Sequence, residues 1–230
     1  DILNQRKGRP FASFELVPPL KGSKPVQLEN ILRPLMEVEP PFVNITCHRD
    51  EIEFHPNADG TFKKLTLTKR PGTVAICAAA MRYCPNTEIV PHVICGGATR
   101  HQIENELLDL NFLGIENVMA LRGDAPAGQR NFIPEPDGFT HSYELVAAID
   151  MLGSGKFLDP TVKEPRPARF CVGVAGYPEK HFEAANLEDD ILHLKQKVEA
   201  GADYVVTQMF FDNKAFFPFK DRCRAAGITV

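Results

Sequence analysis

Seven polar side chains stand where apolar runs stop: Glu15, Thr46, His92, Arg122 with Asp124, Tyr177 and Gln208. The clearest case is the run Asn117 to Leu121, in which Val118, Met119, Ala120 and Leu121 follow one another without polar alternation. That is the pattern of a strand buried on both faces. Charge arrives only at its end, in Arg122, Gly123 and Asp124. An arginine and a carboxylate at the carboxyl end of a buried strand cost folding energy and are useful for holding a polar ligand. The set has no nucleophilic serine or cysteine beside a base, and no His/Asp/Glu group with metal-ligand spacing. It offers one buried acid, one Arg/Asp pair and several neutral hydrogen-bonding groups, which suit binding a flat heteroaromatic molecule and moving a proton. Each residue alone has a structural reading: a strand histidine or glutamine satisfied by backbone, an Arg/Asp surface ion pair. Their joint placement gives the functional reading its weight.

A second group lies between Glu188 and Ala200, where Leu187, Ile191, Leu194 and Val198 make the apolar stripe of a helix. Asp190, His193 and Lys197 fall on the adjoining face at spacings of three and four. A solvated polar face accounts for such a triplet. The functional reading is a ledge for a ribose, adenine or phosphate group.

The elements that must position these residues follow from periodicity and breakers. Phe11 to Val17 reads as a strand ended by Pro18 and Pro19. Residues 24–38 have helical spacing through Val26, Ile31, Leu35 and Val38, and Pro41 to Thr46 is a second strand. Glu51 to His55 and Phe62 to Leu67 flank Asn57, Ala58, Asp59 and Gly60, which predicts an antiparallel hairpin. Val74 to Tyr83 reads as a buried helix and Glu88 to Cys95 as a strand carrying His92 near its end. Thr99 to Gln102 has the spacing of a capping box before a helix through Ile103, Leu107 and Leu110, stopped at Gly114. The strand Ile115 to Leu121 comes next. A Pro/Gly-rich loop, Ala125 to Gly138, leads to a helix from Tyr143 to Leu152, an irregular insertion from Gly153 to Pro167, and the strand Arg169 to Tyr177.

The phrase helix, glycine, strand recurs at Gly201 and again at Gly227. Alternating strands and helices with short connections imply a parallel sheet. Six such strands are countable and a seventh is starting at the last residues, so the expected fold is α/β, a (β/α)8 barrel apparently incomplete at the C-terminus. Residues 1–230 are then one barrel domain lacking its last strands. A doubly wound open sheet is the alternative, without a Gly-x-Gly-x-x-Gly after a strand to support it.

Composition is that of a soluble globular protein, with 43% hydrophobic and 24% charged residues. A formal net charge of -4 offers no broad basic surface, so nucleic acid is not expected as a partner. Cysteines at 47, 77, 84, 95, 171 and 223 show no Cys-x-x-Cys pair and read as reduced residues, not a disulfide framework or a metal site. The segment Asp1 to Pro10 is polar and unlike a signal peptide, and no apolar run is long enough for a membrane span. A cytoplasmic location and no membrane partner are the expectations; a homo-oligomer is allowed.

Four motifs together resemble one family. Phe14 to Pro19, Ala120 to Asp124, Val174 to His181 and Val206 to Asp212 are similar, in order, to motifs of the methylenetetrahydrofolate reductases. The resemblance runs from about residue 10 to Val230. It implies a catalytic barrel that binds FAD, takes hydride from NADH or NADPH and reduces 5,10-methylenetetrahydrofolate to 5-methyltetrahydrofolate. By that resemblance Glu15 is the general acid that protonates folate N10, in a setting that Phe14 and Leu16 would keep apolar. Asp124 stands between flavin and pterin, and Gln208 meets pterin or nicotinamide. The cofactor-binding residues it implies are Thr46, His92, Arg122, Gly123, Asp124, His141, Ser142, Tyr177, His181, Ala184, Asp190, His193 and Lys197. The chain departs from the family at His141 and Ser142, where many bacterial members carry Tyr-Ala, and at His193 and Gln196, where some carry Asn and Arg. Two other readings remain: a flavin-free pterin-binding barrel such as a methyltransferase, and a barrel without catalysis that binds a partner.

Overall fold

A computed structural model of the chain describes residues 9–126 and 128–230; the start of the polar amino end and residue 127 of the Pro/Gly-rich loop lie outside the described residues. In chain order the elements are β1 (Phe14–Leu16), α1 (Pro25–Met36), β2 (Phe42–Ile45), β3 (Glu51–Pro56), β4 (Phe62–Leu67), α2 (Thr73–Tyr83) and β5 (Glu88–Ile94). They continue with α3 (Arg100–Phe112), β6 (Asn117–Leu121), α4 (Ser142–Gly153), β7 (Cys171–Gly176), α5 (Leu187–Glu199), β8 (Tyr204–Thr207) and α6 (Asn213–Ala225). Six strands form one sheet in the order β1-β2-β5-β6-β7-β8, and the hairpin β3-β4 is a sheet of its own. Parallel pairing joins β1 to β2, β2 to β5, β6 to β7 and β7 to β8. Each strand of the six-stranded sheet is followed by a helix before the next, which is the repeat of a (β/α)8 barrel. No helix among the described residues is long and apolar enough to cross a membrane.

The chain divides into two compact units. One takes in the described residues through His92 and those of Pro126–Arg130; the other spans Val93–Ala125 and Asn131–Val230. In the first, α1 packs on α2, and the core holds Leu28, Leu32, Val43, Ile45, Cys77 and Ala80. The α1 stripe expected through Val26, Ile31, Leu35 and Val38 is the wrong face: Val26, Ile31 and Val38 are exposed, while Leu28 and Leu32, four apart, are buried. The helix has apolar residues on more than one side, so spacing alone did not choose between them. The antiparallel hairpin forms as expected, with Ile52 opposite Thr66 and Phe54 opposite Lys64.

In the second unit α4 packs on α5, and the core holds Leu107, Leu110, Val118, Leu145, Ile149, Val174 and Leu194. Thr99 caps α3 reciprocally, its hydroxyl accepting from the Gln102 amide at 3.3 Å and its own amide donating to the Gln102 side chain at 2.8 Å. Gly114 ends that helix with φ 81°, a conformation that favours glycine. The strand expected to begin after Gly227 is not formed: Ile228 is buried and its amide donates to Cys223 O, but residues 228–230 are outside the sheet.

Candidate cofactor and substrate site

In the second unit, Arg122 follows β6 directly, Tyr177 follows β7, and Asp190 and Lys197 lie on α5. Parallel strands deliver Arg122 and Tyr177 to the same end of the sheet. The Lys197 ammonium donates to Ala175 O at 2.9 Å and sits 5.8 Å from the centre of the Tyr177 ring. Tyr177 packs edge-on against His181 at 4.7 Å. Asp190 is buried and accepts the His181 amide at 2.9 Å, so the carboxylate fixes the turn that carries the imidazole. The helix was expected to bury Leu187, Ile191, Leu194 and Val198. Leu187 and Val198 are only half-buried, and Asp190 takes a place in the buried stripe.

Electrostatics in this cluster are governed mainly by burial. Burial lowers the Lys197 pKa to about 8, the negative charge of Asp190 opposing the shift and the positive charge of Arg122 adding to it. Burial, then Arg122, lowers that of His181, and burial, then Asp190, raises that of Tyr177. His181 and Tyr177 are therefore neutral hydrogen-bonding groups at pH 7, beside two cations. Such a set can hold an anionic ligand that also carries flat rings and hydroxyl groups.

Arg122 does not pair with Asp124, as the sequence suggested. Its guanidinium is in an ion pair with Glu183, and its Cζ lies 4.9 Å from the centre of the Phe132 ring. Asp124 is exposed beyond Gly123, whose φ of 83° turns the chain where an added Cβ would touch Ile94 at 3.4 Å. Neither Glu183 nor Phe132 stands out in the sequence: a glutamate two residues past His181 and a phenylalanine in a Pro/Gly-rich loop carry no spacing signal.

The other expected residues of this unit are placed as follows. His141 precedes α4, where its amide donates to the Glu144 carboxylate at 3.1 Å and its ring stacks on Tyr143; Ser142 is buried at the first turn. Ala184 O accepts from the Lys180 ammonium at 2.6 Å. His193 is exposed on α5, and Gln208 is exposed just past β8, its amide bonded to Gly176 O at 2.7 Å. Cys95 is buried with its thiol pushed up to about 12, chiefly by burial and then by Glu144, so it is no nucleophile. Among the described residues no three His, Cys, Asp or Glu side chains are placed to hold a metal ion.

In the first unit, Glu15 lies in β1, with its Oε2 3.9 Å from His92 Nε2 in β5. His92 is buried within the strand, three residues short of the expected strand end at Cys95, and burial lowers its pKa to about 4, with repulsion from His48 adding to it. At pH 7 the two are a carboxyl group and a neutral imidazole. The apolar setting expected for Glu15 is not found: 60% of its side chain is exposed. Phe14 and Leu16 cannot shield it, because neighbours in a strand point to the opposite face. Thr46 is buried and spends its hydroxyl on Leu16 O at 3.3 Å.

The sequence profile described as methylenetetrahydrofolate reductase matches residues 2–230. The chain belongs to the methylenetetrahydrofolate reductase family. Among curated methylenetetrahydrofolate reductases it is 33% identical to "5,10-methylenetetrahydrofolate reductase" of Salmonella typhimurium, over 100% of this chain and 66% of that protein. It is also 33% identical to "Methylenetetrahydrofolate reductase (NADH) 1" of Zea mays, over 96% of this chain and 34% of that one. The chain thus spans about two thirds of the bacterial reductase and one third of the plant one. A solved structure, that of an uncharacterized Clostridium thermocellum protein described as binding two copies of 5-methyl-5,6,7,8-tetrahydrofolic acid, superposes with a TM-score of 0.54 at 13% identity. That superposition covers 99% of this chain and 65% of the other and bears on the fold alone. The expected architecture of six strand–helix repeats of an incomplete barrel agrees with this methylenetetrahydrofolate reductase assignment.

Proposed function

We propose that this chain carries the flavin chemistry of a methylenetetrahydrofolate reductase: reduction of 5,10-methylenetetrahydrofolate to 5-methyltetrahydrofolate by NADH or NADPH. The match to the family along residues 2–230 carries the reading. The donor set of the second unit fits FAD: Arg122 and Lys197 for its phosphates, the buried Asp190 at a ribose or adenine contact, and Tyr177 and His181 as flat walls. Thr46, His92, Gly123, His141, Ser142, Ala184 and His193 are the remaining proposed contacts. When bound, FAD supplies the relay of two electrons from the nicotinamide to the folate one-carbon unit.

The residues of the chain bind, orient and move one proton. Glu15 supplies the proton that folate N10 takes as its bond to the one-carbon unit breaks, and a neutral His92 beside it leaves no imidazolium there to favour the carboxylate over the acid. Asp124 hydrogen-bonds the pterin, and its negative charge makes the flavin harder to reduce. Gln208 serves pterin and nicotinamide in turn, which fits a ping-pong cycle. A folate substrate is in keeping with the folate that the Clostridium thermocellum protein is described as binding, and NADH as one donor with the maize relative's name.

The test is to add FAD to the purified protein, remove the excess, and follow the flavin band. Retained colour, anaerobic bleaching by NADH or NADPH, and its return with 5,10-methylenetetrahydrofolate are expected. Protein that stays colourless rejects the proposal in favour of a flavin-free folate-binding barrel, and bound flavin that folate cannot reoxidise rejects folate as the acceptor.

A further inference from the structure

Of the two cations in this cluster, Arg122 is the better suited to a phosphate, since a planar guanidinium matches two oxygens at once. It is already engaged. Glu183 pairs with it, and the two side chains are equally shielded, each 22% exposed. Phe132 covers the guanidinium with its ring and donates its amide to the Glu183 carboxylate. The Glu183 amide in turn donates to His181 Nδ1 at 3.2 Å. The surrounding backbone is pinned separately, by the Lys180 ammonium donating to His181 O and Ala184 O. The loop can therefore stay in place while the Glu183 side chain leaves.

A single carboxylate on a partly hydrated guanidinium is a weak holder, with a net value of about 1 kcal/mol or less. A diphosphate brings more charge and more acceptor oxygens to the same fork. We propose that Glu183 is a resident counter-ion for Arg122 that the anionic part of the cofactor displaces, and that it sets how far the site prefers a phosphorylated flavin to riboflavin. The inference rests on the flavin reading above, and it assigns Glu183 a task opposed to binding: its charge competes with the ligand.

The experiment uses the full chain, unmodified and as E183Q, with E183A as a second variant should the amide crowd Phe132. Affinities for FAD and riboflavin are read from flavin fluorescence and for inorganic pyrophosphate by calorimetry, with folding checked by thermal melting. Expected is a gain of about fivefold for FAD and pyrophosphate, the equivalent of about 1 kcal/mol, and none for riboflavin. Unchanged or weaker binding of FAD and pyrophosphate, or an equal gain for riboflavin, overturns the proposal. If the unmodified protein takes up neither flavin, the flavin reading falls, and the pyrophosphate arm alone decides whether Glu183 is a displaceable counter-ion.

Discussion

The Glu15 carboxyl group and the His92 imidazole lie 3.9 Å apart, and it is the histidine that has given up its charge. Distance alone would make them an ion pair. Burial decides otherwise: His92 is shielded within β5 and its pKa falls to about 4, so at neutral pH no imidazolium is present. Glu15 stands in β1, exposed, with a neutral partner. A proton donor needs this company more than it needs a cation.

Replacement of Glu15 by Gln keeps the shape and removes the transferable proton. Reduction of bound flavin by NADH or NADPH is expected to continue near the normal rate, while reoxidation by 5,10-methylenetetrahydrofolate slows by about 10²- to 10⁴-fold. Rapid-mixing measurement of the two half-reactions separates the outcomes. Equal slowing of both would remove Glu15 from the acid role.

The depressed His92 pKa also makes stability depend on pH. In the unfolded chain the imidazole takes a proton near 6.5, and in the fold only near 4. Between those values the unfolded state binds more protons, so stability rises with pH and is lost as acid is added from pH 6.5 downward. The loss from this one residue approaches about 3 kcal/mol at pH 4. Urea unfolding from pH 4.5 to 7.5 should show a shallower slope in His92→Gln than in the unmodified chain; identical slopes would mean the histidine titrates normally.

Much of this arrangement was legible in the sequence because burial is written in local pattern. The unbroken apolar run before Arg122 predicted a strand with charge at its end, and β6 stops at Leu121. The Thr99–Gln102 cap and the Asn57–Gly60 turn were equally local, each needing only a few residues to form. Two things were not local. The partner of Arg122 is 61 positions away in Glu183, and no spacing rule links a β6 end to a turn before α5. The exposure of Glu15 followed from the two faces of a strand, which the flanking Phe14 and Leu16 obscured by being near in sequence and opposite in space. The face of α1 failed for a related reason: the apolar residues on its other sides compete with Leu28 and Leu32, and only packing against α2 selects.

Gly173 and Tyr204 face each other across β7 and β8. An added Cβ at Gly173 would stand 2.5 Å from Cζ of the tyrosine and 2.7 Å from its Cε2 and Oη, so the aromatic ring occupies the space a side chain would need. Burial raises the pKa of the Tyr204 phenol, in keeping with a ring packed against the sheet. Gly173→Ala is expected to destabilise the fold by about 1–3 kcal/mol, the usual cost of overpacking. Pairing it with Tyr204→Ala should recover part of that loss, whereas additive losses in chemical denaturation would show that the ring is not the obstacle.

Lys197 links the site to pH in the opposite range. Burial, opposed by Asp190 and reinforced by Arg122, brings its pKa to about 8. At pH 8.5 most of the protein therefore holds a neutral amine, and a phosphate group placed beside it favours the charged form and draws a proton from solution. At pH 6.5 the amine is charged beforehand and nothing is taken up. Calorimetric titration with FAD in buffers of different ionisation enthalpy measures this directly: uptake of up to about one proton at pH 8.5, falling toward none at pH 6.5, and abolished in Lys197→Met. Binding whose heat is the same in every buffer at pH 8.5 would place the lysine away from the ligand's phosphates and reassign it to its bond with Ala175 O alone.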